Sequence, residues 1–180
     1  MKDFYNKLHQ VFEQEATKDL YRSKGIVPIQ YIDFYAGQDY NDNLFEAHIF
    51  PALLVQWQIA YTDNYEAVAT LTFKLCYEQL RDLSSLGQNK VEGLKFLDFI
   101  DITDSILKTV ETPSTGKLHL INESLSIEDT VVDVFTLTYQ CSYCGKQKSP
   151  QTKGLRGDFE RLHSHLAQFL LDNIQHATEL

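Results

Sequence analysis

The sequence predicts an α+β fold: an antiparallel β-sheet packed by a central helix, with additional N- and C-terminal helices. Three observations predict it. Residues 52–60 and 67–77 both alternate apolar and polar side chains and are joined by a short polar turn. A third alternating run comes late, at residues 130–142. Between and around these runs lie segments with apolar residues at helical spacing.

Residues 2–22 read as one amphipathic helix, because Phe4, Leu8, Val11, Phe12, Ala16 and Leu20 recur every three to four positions. Lys24-Gly25 is its expected stop. Residues 27–35 have a strand composition, and residues 36–46 (AGQDYNDNLFE) are polar and turn-rich, hence a loop. In the hairpin, Leu53, Val55, Trp57 and Ile59 form one row, and Leu71, Phe73, Leu75 and Tyr77 the row opposite. The turn is Tyr61 to Asn64. A second helix follows over residues 91–110, with Phe96, Phe99, Ile100, Thr103, Ile106, Leu107 and Val110 on its stripe. Residues 118–121 form a short strand, and residues 130–142 a long one carrying Phe135, Leu137, Tyr139 and Cys141. Residues 145–157 read as a flexible basic loop. Asp158 can cap a last helix, residues 158–180, whose stripe is Phe159, Leu162, Leu166, Phe169, Leu170 and Ile174. The whole chain reads as one domain: residues 1–24 a helix, 26–144 the sheet-and-helix core, then the loop and the last helix.

Composition narrows the function. Hydrophobic residues are 43% and aromatics 12%, the balance of a folded globular chain. No apolar run is long enough to span a bilayer, and the first twenty residues lack the apolar block of a secretory signal. Three cysteines make a disulfide framework a poor expectation and a reducing cytoplasm the better one. The formal net charge is −9, and residues 25–73 contain no Lys or Arg. Basic residues collect late, at Lys146, Lys148, Lys153, Arg156 and Arg161. That segregation argues against a nucleic-acid grip over most of the surface, since phosphate binding needs clustered cations.

Chemistry-bearing motifs are few. Cys141 and Cys144 form a CxxC, and His163 and His165 follow. A zinc site needs four converging ligands. Two histidines two residues apart on a helix point to different faces, and no second CxxC exists. Asp98, Asp101 and Asp104 are spaced along the second helix as its solvated side would be. His9, His48, His119 and His176 are scattered, and no phosphate loop or nucleophile motif occurs. The expectation is a chain without a catalytic centre, metal or cofactor.

One resemblance goes further. The run from Phe50 to Leu80, FPALLVQWQIAYTDNYEAVATLTFKLCYEQL, resembles the opening hairpin of small bacteriophage tail-terminator or tail-completion proteins. Phe50-Pro51-Ala52 matches its start, Tyr61 to Asp63 its aromatic and acidic turn, and residues 69–75 its second strand. The serine-bearing loop at residues 82–85, the helix from Leu94 to Val110 and the strand from Glu128 to Tyr139 continue the similarity. It covers residues 50–144, about half the chain, as a pattern of hydrophobic spacing and turns.

The resemblance implies a non-enzymatic virion protein at the head–tail junction, made in the host cytoplasm. It would act as one copy in a ring, commonly six-fold. Its partners would be other copies of itself, the portal, connector or neck proteins, and the tail tube protein. DNA would pass through the lumen without sequence-specific binding, and an acidic lumen would keep it from sticking. The two polar loops are the expected contact surfaces: Gln38, Asp39, Tyr40, Asp42 and Phe45 in the first, and Lys146, Lys148, Lys153 and Arg156 in the second. Which junction ring it would be stays open, as do a protein-binding module outside any phage and a metal or redox protein using Cys141 and Cys144.

Overall fold

A computed structural model describes residues 1–40, 49–61, 67–77, 90–126 and 132–144. The hairpin turn, residues 41–46 of the first polar loop, the serine-bearing loop, the basic loop and the C-terminal helix lie outside the described residues. The first helix is two helices, α1 (Lys2–Glu13) and α2 (Glu15–Ser23). Gln14 between them is extended, with φ −63° and ψ 134°. That single non-helical residue resets the rotation of the chain. Phe4, Leu8, Val11 and Phe12 are buried as the spacing predicts, but Ala16 and Leu20 face solvent. Thr17 and Tyr21, one position later, take their place in the interior. The Tyr21 hydroxyl then meets Thr103 Oγ1 at 2.8 Å, a buried contact that fixes the second half against the central helix.

The stop falls where the sequence puts it. Gly25 adopts φ +67°, its N–H donates to the Arg22 carbonyl, and the Ile26 N–H donates to the Tyr21 carbonyl. This paired closure of a helix end needs a left-handed residue, which glycine supplies without steric cost.

The strands are β1 (Tyr31–Phe34), β2 (Ala52–Tyr61), β3 (Ala67–Tyr77), β4 (His119–Leu125) and β5 (Asp133–Tyr143). Among the described residues they form one five-stranded sheet in the order β1-β2-β3-β5-β4. The β2–β3, β3–β5 and β5–β4 pairs are antiparallel, whereas β1 runs parallel to β2. The sheet is therefore mixed rather than purely antiparallel. A parallel pair cannot be joined by a tight turn, and residues 35–51 separate the two strands in the sequence. In β4 the register shifts at Ile121, a bulge that interrupts the ladder to β5.

The central helix α3 (Lys90–Leu107) and the two N-terminal helices contribute to one core over a single face of the sheet. Phe4, Leu8 and Phe12 from α1 and Phe99, Ile106 and Leu107 from α3 share that cluster with Leu53, Val55, Leu71, Phe73, Leu75, Leu137 and Tyr139. Phe73 lies at its centre, with ring centroids 6.4 Å from Phe4 and 5.6 Å from Tyr139. Each such side chain stabilises the fold by about 1.5–3 kcal/mol on burial. No helix among the described residues is long and apolar enough to cross a membrane.

Candidate functional site

The second face of the sheet is the less conventional one. Strand register places Gln56, Thr72, Thr138 and Asn122 in one row across four strands. Gln58, Thr70, Gln140 and His119 form the next. Most of these side chains are exposed and the threonines half-buried. The face is polar and, His119 aside, carries no ionisable side chain along these rows. Threonine fits a pleated surface through its β-branch, and glutamine offers both donors and acceptors. Such a surface can hydrogen-bond a partner without the desolvation cost of ions.

At the other end of the same face the polarity changes. Ala52, Leu54, Cys76, Val132 and Val134 form a second, smaller core, with Tyr31, Tyr35 and Phe50 packed against it. The loop after β1 is pinned beside this core. The Gln38 side chain accepts from the Ala36 N–H at 2.6 Å and donates to the Phe34 carbonyl at 2.7 Å. Gln38 and Asp39 then begin a short 3-10 turn, residues Gln38–Tyr40.

Asp39 is 1% exposed and takes a charge-assisted hydrogen bond of 2.6 Å from Lys74 Nζ, whose side chain is 17% exposed. The ammonium also lies 3.9 Å from the Tyr35 ring centroid and 5.6 Å from that of Tyr40. Burial by itself pushes Lys74 toward neutrality. Hydrogen bonds and charge from Asp39 and Tyr35 outweigh it, so the amine stays protonated above its ordinary range. Asp39 Oδ1 is enclosed and, among the described residues, has no hydrogen-bond partner. The neighbouring Cys76 thiol is pushed up to about 12, first by burial and then by Asp39, with Lys74 opposing. A protonated amine and a protonated thiol are both poor nucleophiles at neutral pH. The cluster is suited to fastening residues 36–40 to β3, not to covalent chemistry.

The sequence-predicted site residues therefore divide. Gln38 and Asp39 turn inward as the fastening, while Tyr40 is half exposed. Asp42, Phe45, Lys146, Lys148, Lys153 and Arg156 lie outside the described residues. Sequence reasoning missed Lys74 and Tyr35. The available signal was that Lys74 is the first cation after the basic-free span that contains Asp39.

Cys141 is buried on the helix-covered face of β5, its thiol raised by that burial, and Cys144 is exposed just beyond the strand. Cys76 is on the opposite face of the sheet. Among the described residues no group of three or more His, Cys, Asp or Glu side chains converges as a metal would require. Asp104, expected on the solvated side of the central helix, accepts from Tyr139 Oη at 2.7 Å and from Lys108 at 2.6 Å. The Tyr139 hydroxyl is raised far above its usual range, by burial and then by that carboxylate.

No protein-family model matches the chain, and no curated protein matches it significantly.

Proposed function

We propose that this chain is a structural subunit of a bacteriophage head–tail junction, working as one copy in a ring that ends the tail or joins it to the portal side. DNA passes through that ring, and the chain performs no reaction. The observation that carries the reading is the outer edge of β4. All seven residues from His119 to Leu125 are exposed or half-exposed, including Ile121 and Leu125. Among the described residues no strand pairs with that edge. The inner neighbour sets the alternation: Ser126 N–H donates to the Val134 carbonyl, so the backbone groups of Leu125 and Glu123 point outward. Unused backbone donors and acceptors are a template for another strand. Head-to-tail contacts of that kind close into rings when the rotation permits.

Two further features agree with it. The uncharged glutamine and threonine rows offer a contact surface beside the edge. The net charge of −9 is multiplied in a ring, which favours a channel that DNA leaves freely. The hydrophobic pattern of residues 50–144 that resembles tail-terminator proteins is the source of the phage assignment. The deciding experiment is electron microscopy of virions made without this protein. Separate heads and tails are expected, and normally joined particles refute the junction role. Negative-stain images of the purified chain alone or with tail tubes give the second measurement, with rings capping tube ends as the expected result.

A further inference from the structure

The central helix is apolar on two sides but buried on one. Its interior face carries Phe99, Ile100, Thr103, Ile106 and Leu107. On the opposite side Val91, Leu94 and Leu97 are 75%, 48% and 53% exposed. Residues three apart on a helix are surface neighbours, so these three form one continuous ridge. Leu20 of α2 adds an exposed apolar group on the same side, next to a shallow groove of about 380 Å³ bordered by Lys24, Asp98 and Ile102. A helix apolar on both sides is normally covered on both.

We infer that this ridge is covered by the same ridge of a second copy, the two central helices packing antiparallel about a two-fold axis through Leu94. The charge order along the helix selects that occupant. Along the helix Lys90, Glu92 and Lys95 come first, and the carboxylates Asp98, Asp101 and Asp104 follow. Antiparallel pairing about Leu94 puts Leu94 against its own counterpart and Val91 against Leu97 of the second copy. It also puts Lys90 against Asp98 of the second copy, twice per dimer. The same residue spacing thus matches apolar with apolar and positive with negative. A parallel pair would set the carboxylates beside each other. Asp98 already takes a weak ion pair from Lys24 at 3.6 Å, so its carboxylate sits on this surface and is available for a second cation.

The contact is independent of the ring reading. An isologous pair joins two copies and stops, whereas a ring uses unlike surfaces; both can coexist in a double ring of dihedral symmetry.

The test is the association state of the full chain, by sedimentation equilibrium across micromolar to submillimolar concentrations. The wild type is expected to dimerise. Leu94→Asp, which sets two carboxylates on the axis, is expected to abolish the dimer while leaving the thermal melt of dilute, monomeric protein unchanged, because Leu94 is half exposed in the single chain. Lys90→Glu and Asp98→Lys are each expected to weaken self-association roughly tenfold, since each sets like charges against each other in both halves of the dimer. Mixing those two variants is expected to restore it. In the mixed dimer both contacts again pair a cation with a carboxylate, one in the original sense and one with the charges exchanged. Recovery on mixing cannot come from a folding defect. A wild type that stays monomeric, a dimer indifferent to Leu94→Asp, or a mixture no tighter than its parts would each overturn the inference.

Discussion

Replacing Lys74 by methionine isolates what the Asp39–Lys74 pair contributes. Methionine keeps most of the apolar stem against Tyr35 and removes only the ammonium. Asp39, 1% exposed, would then hold a buried carboxylate whose Oδ1 already lacks a partner among the described residues. At 2.6 Å and an effective dielectric of about 20 the lost attraction is about 6 kcal/mol. Part of that is offset, because Lys74 no longer has to be desolvated and Asp39 can take up a proton. Removing one partner of a buried pair typically costs about 3–5 kcal/mol. The 17% exposure of Lys74 places this case at the lower end, about 3 kcal/mol. In a chain of this size that lowers Tm by roughly 6–12 °C. Urea unfolding of the wild type, Lys74→Met, Asp39→Leu and the double variant gives the coupling energy directly. The double variant should recover most of the loss, since no uncompensated charge remains. A cost below about 1 kcal/mol for Lys74→Met, the value of an exposed pair, would refute the reasoning.

Two other outcomes follow from the same surroundings. The Cys76 thiol is neutral in the fold up to about pH 12 but ionises near pH 9 in the unfolded chain, so the unfolded state loses its proton first. Stability is unaffected below pH 9 and falls between pH 9 and 12, by about 4 kcal/mol at the limit. Cys76→Ala should flatten that alkaline slope, as followed by urea midpoints against pH. Thiol labelling under native conditions should modify Cys144 at once and leave Cys76 and Cys141 protected until the chain unfolds, because only Cys144 is exposed. Rapid labelling of all three by mass spectrometry would contradict the buried placement of the other two.

Where a segment meets one uniform environment, periodicity placed it well. The hairpin lies at residues 52–61 and 67–77 against an expected 52–60 and 67–77, and the central helix within a few residues of its expected bounds. Each of these elements turns one face to the common core, so a single period carries the information. The N-terminal helix defeated the same logic at Gln14. A kink changes which residues face inward without altering the local composition, and the exchange of Leu20 for Tyr21 is visible only once α3 supplies Thr103 as a partner. The parallel placement of β1 was equally hidden, because strand direction depends on where a connection returns and not on what the strand contains.

The site residues show the limit more sharply. Polar residues in a turn-rich loop invite a reading as partner contacts, since loops carry function more often than cores do. Gln38 and Asp39 are polar for the opposite reason. Gln38 closes the loop on its own backbone, and Asp39 neutralises a lysine that the alternation of β3 directs to the sheet's second face. That lysine can be there because Tyr35 and the carboxylate replace the water it gives up. What this leaves for the proposed contacts is the remainder of that face, with its uncharged glutamine and threonine rows, and the outward backbone groups of the β4 edge. A surface of that kind selects by shape and register. Selection of that sort is what the proposed ring requires, an edge and two rows of side chains holding a neighbouring subunit rather than any single residue.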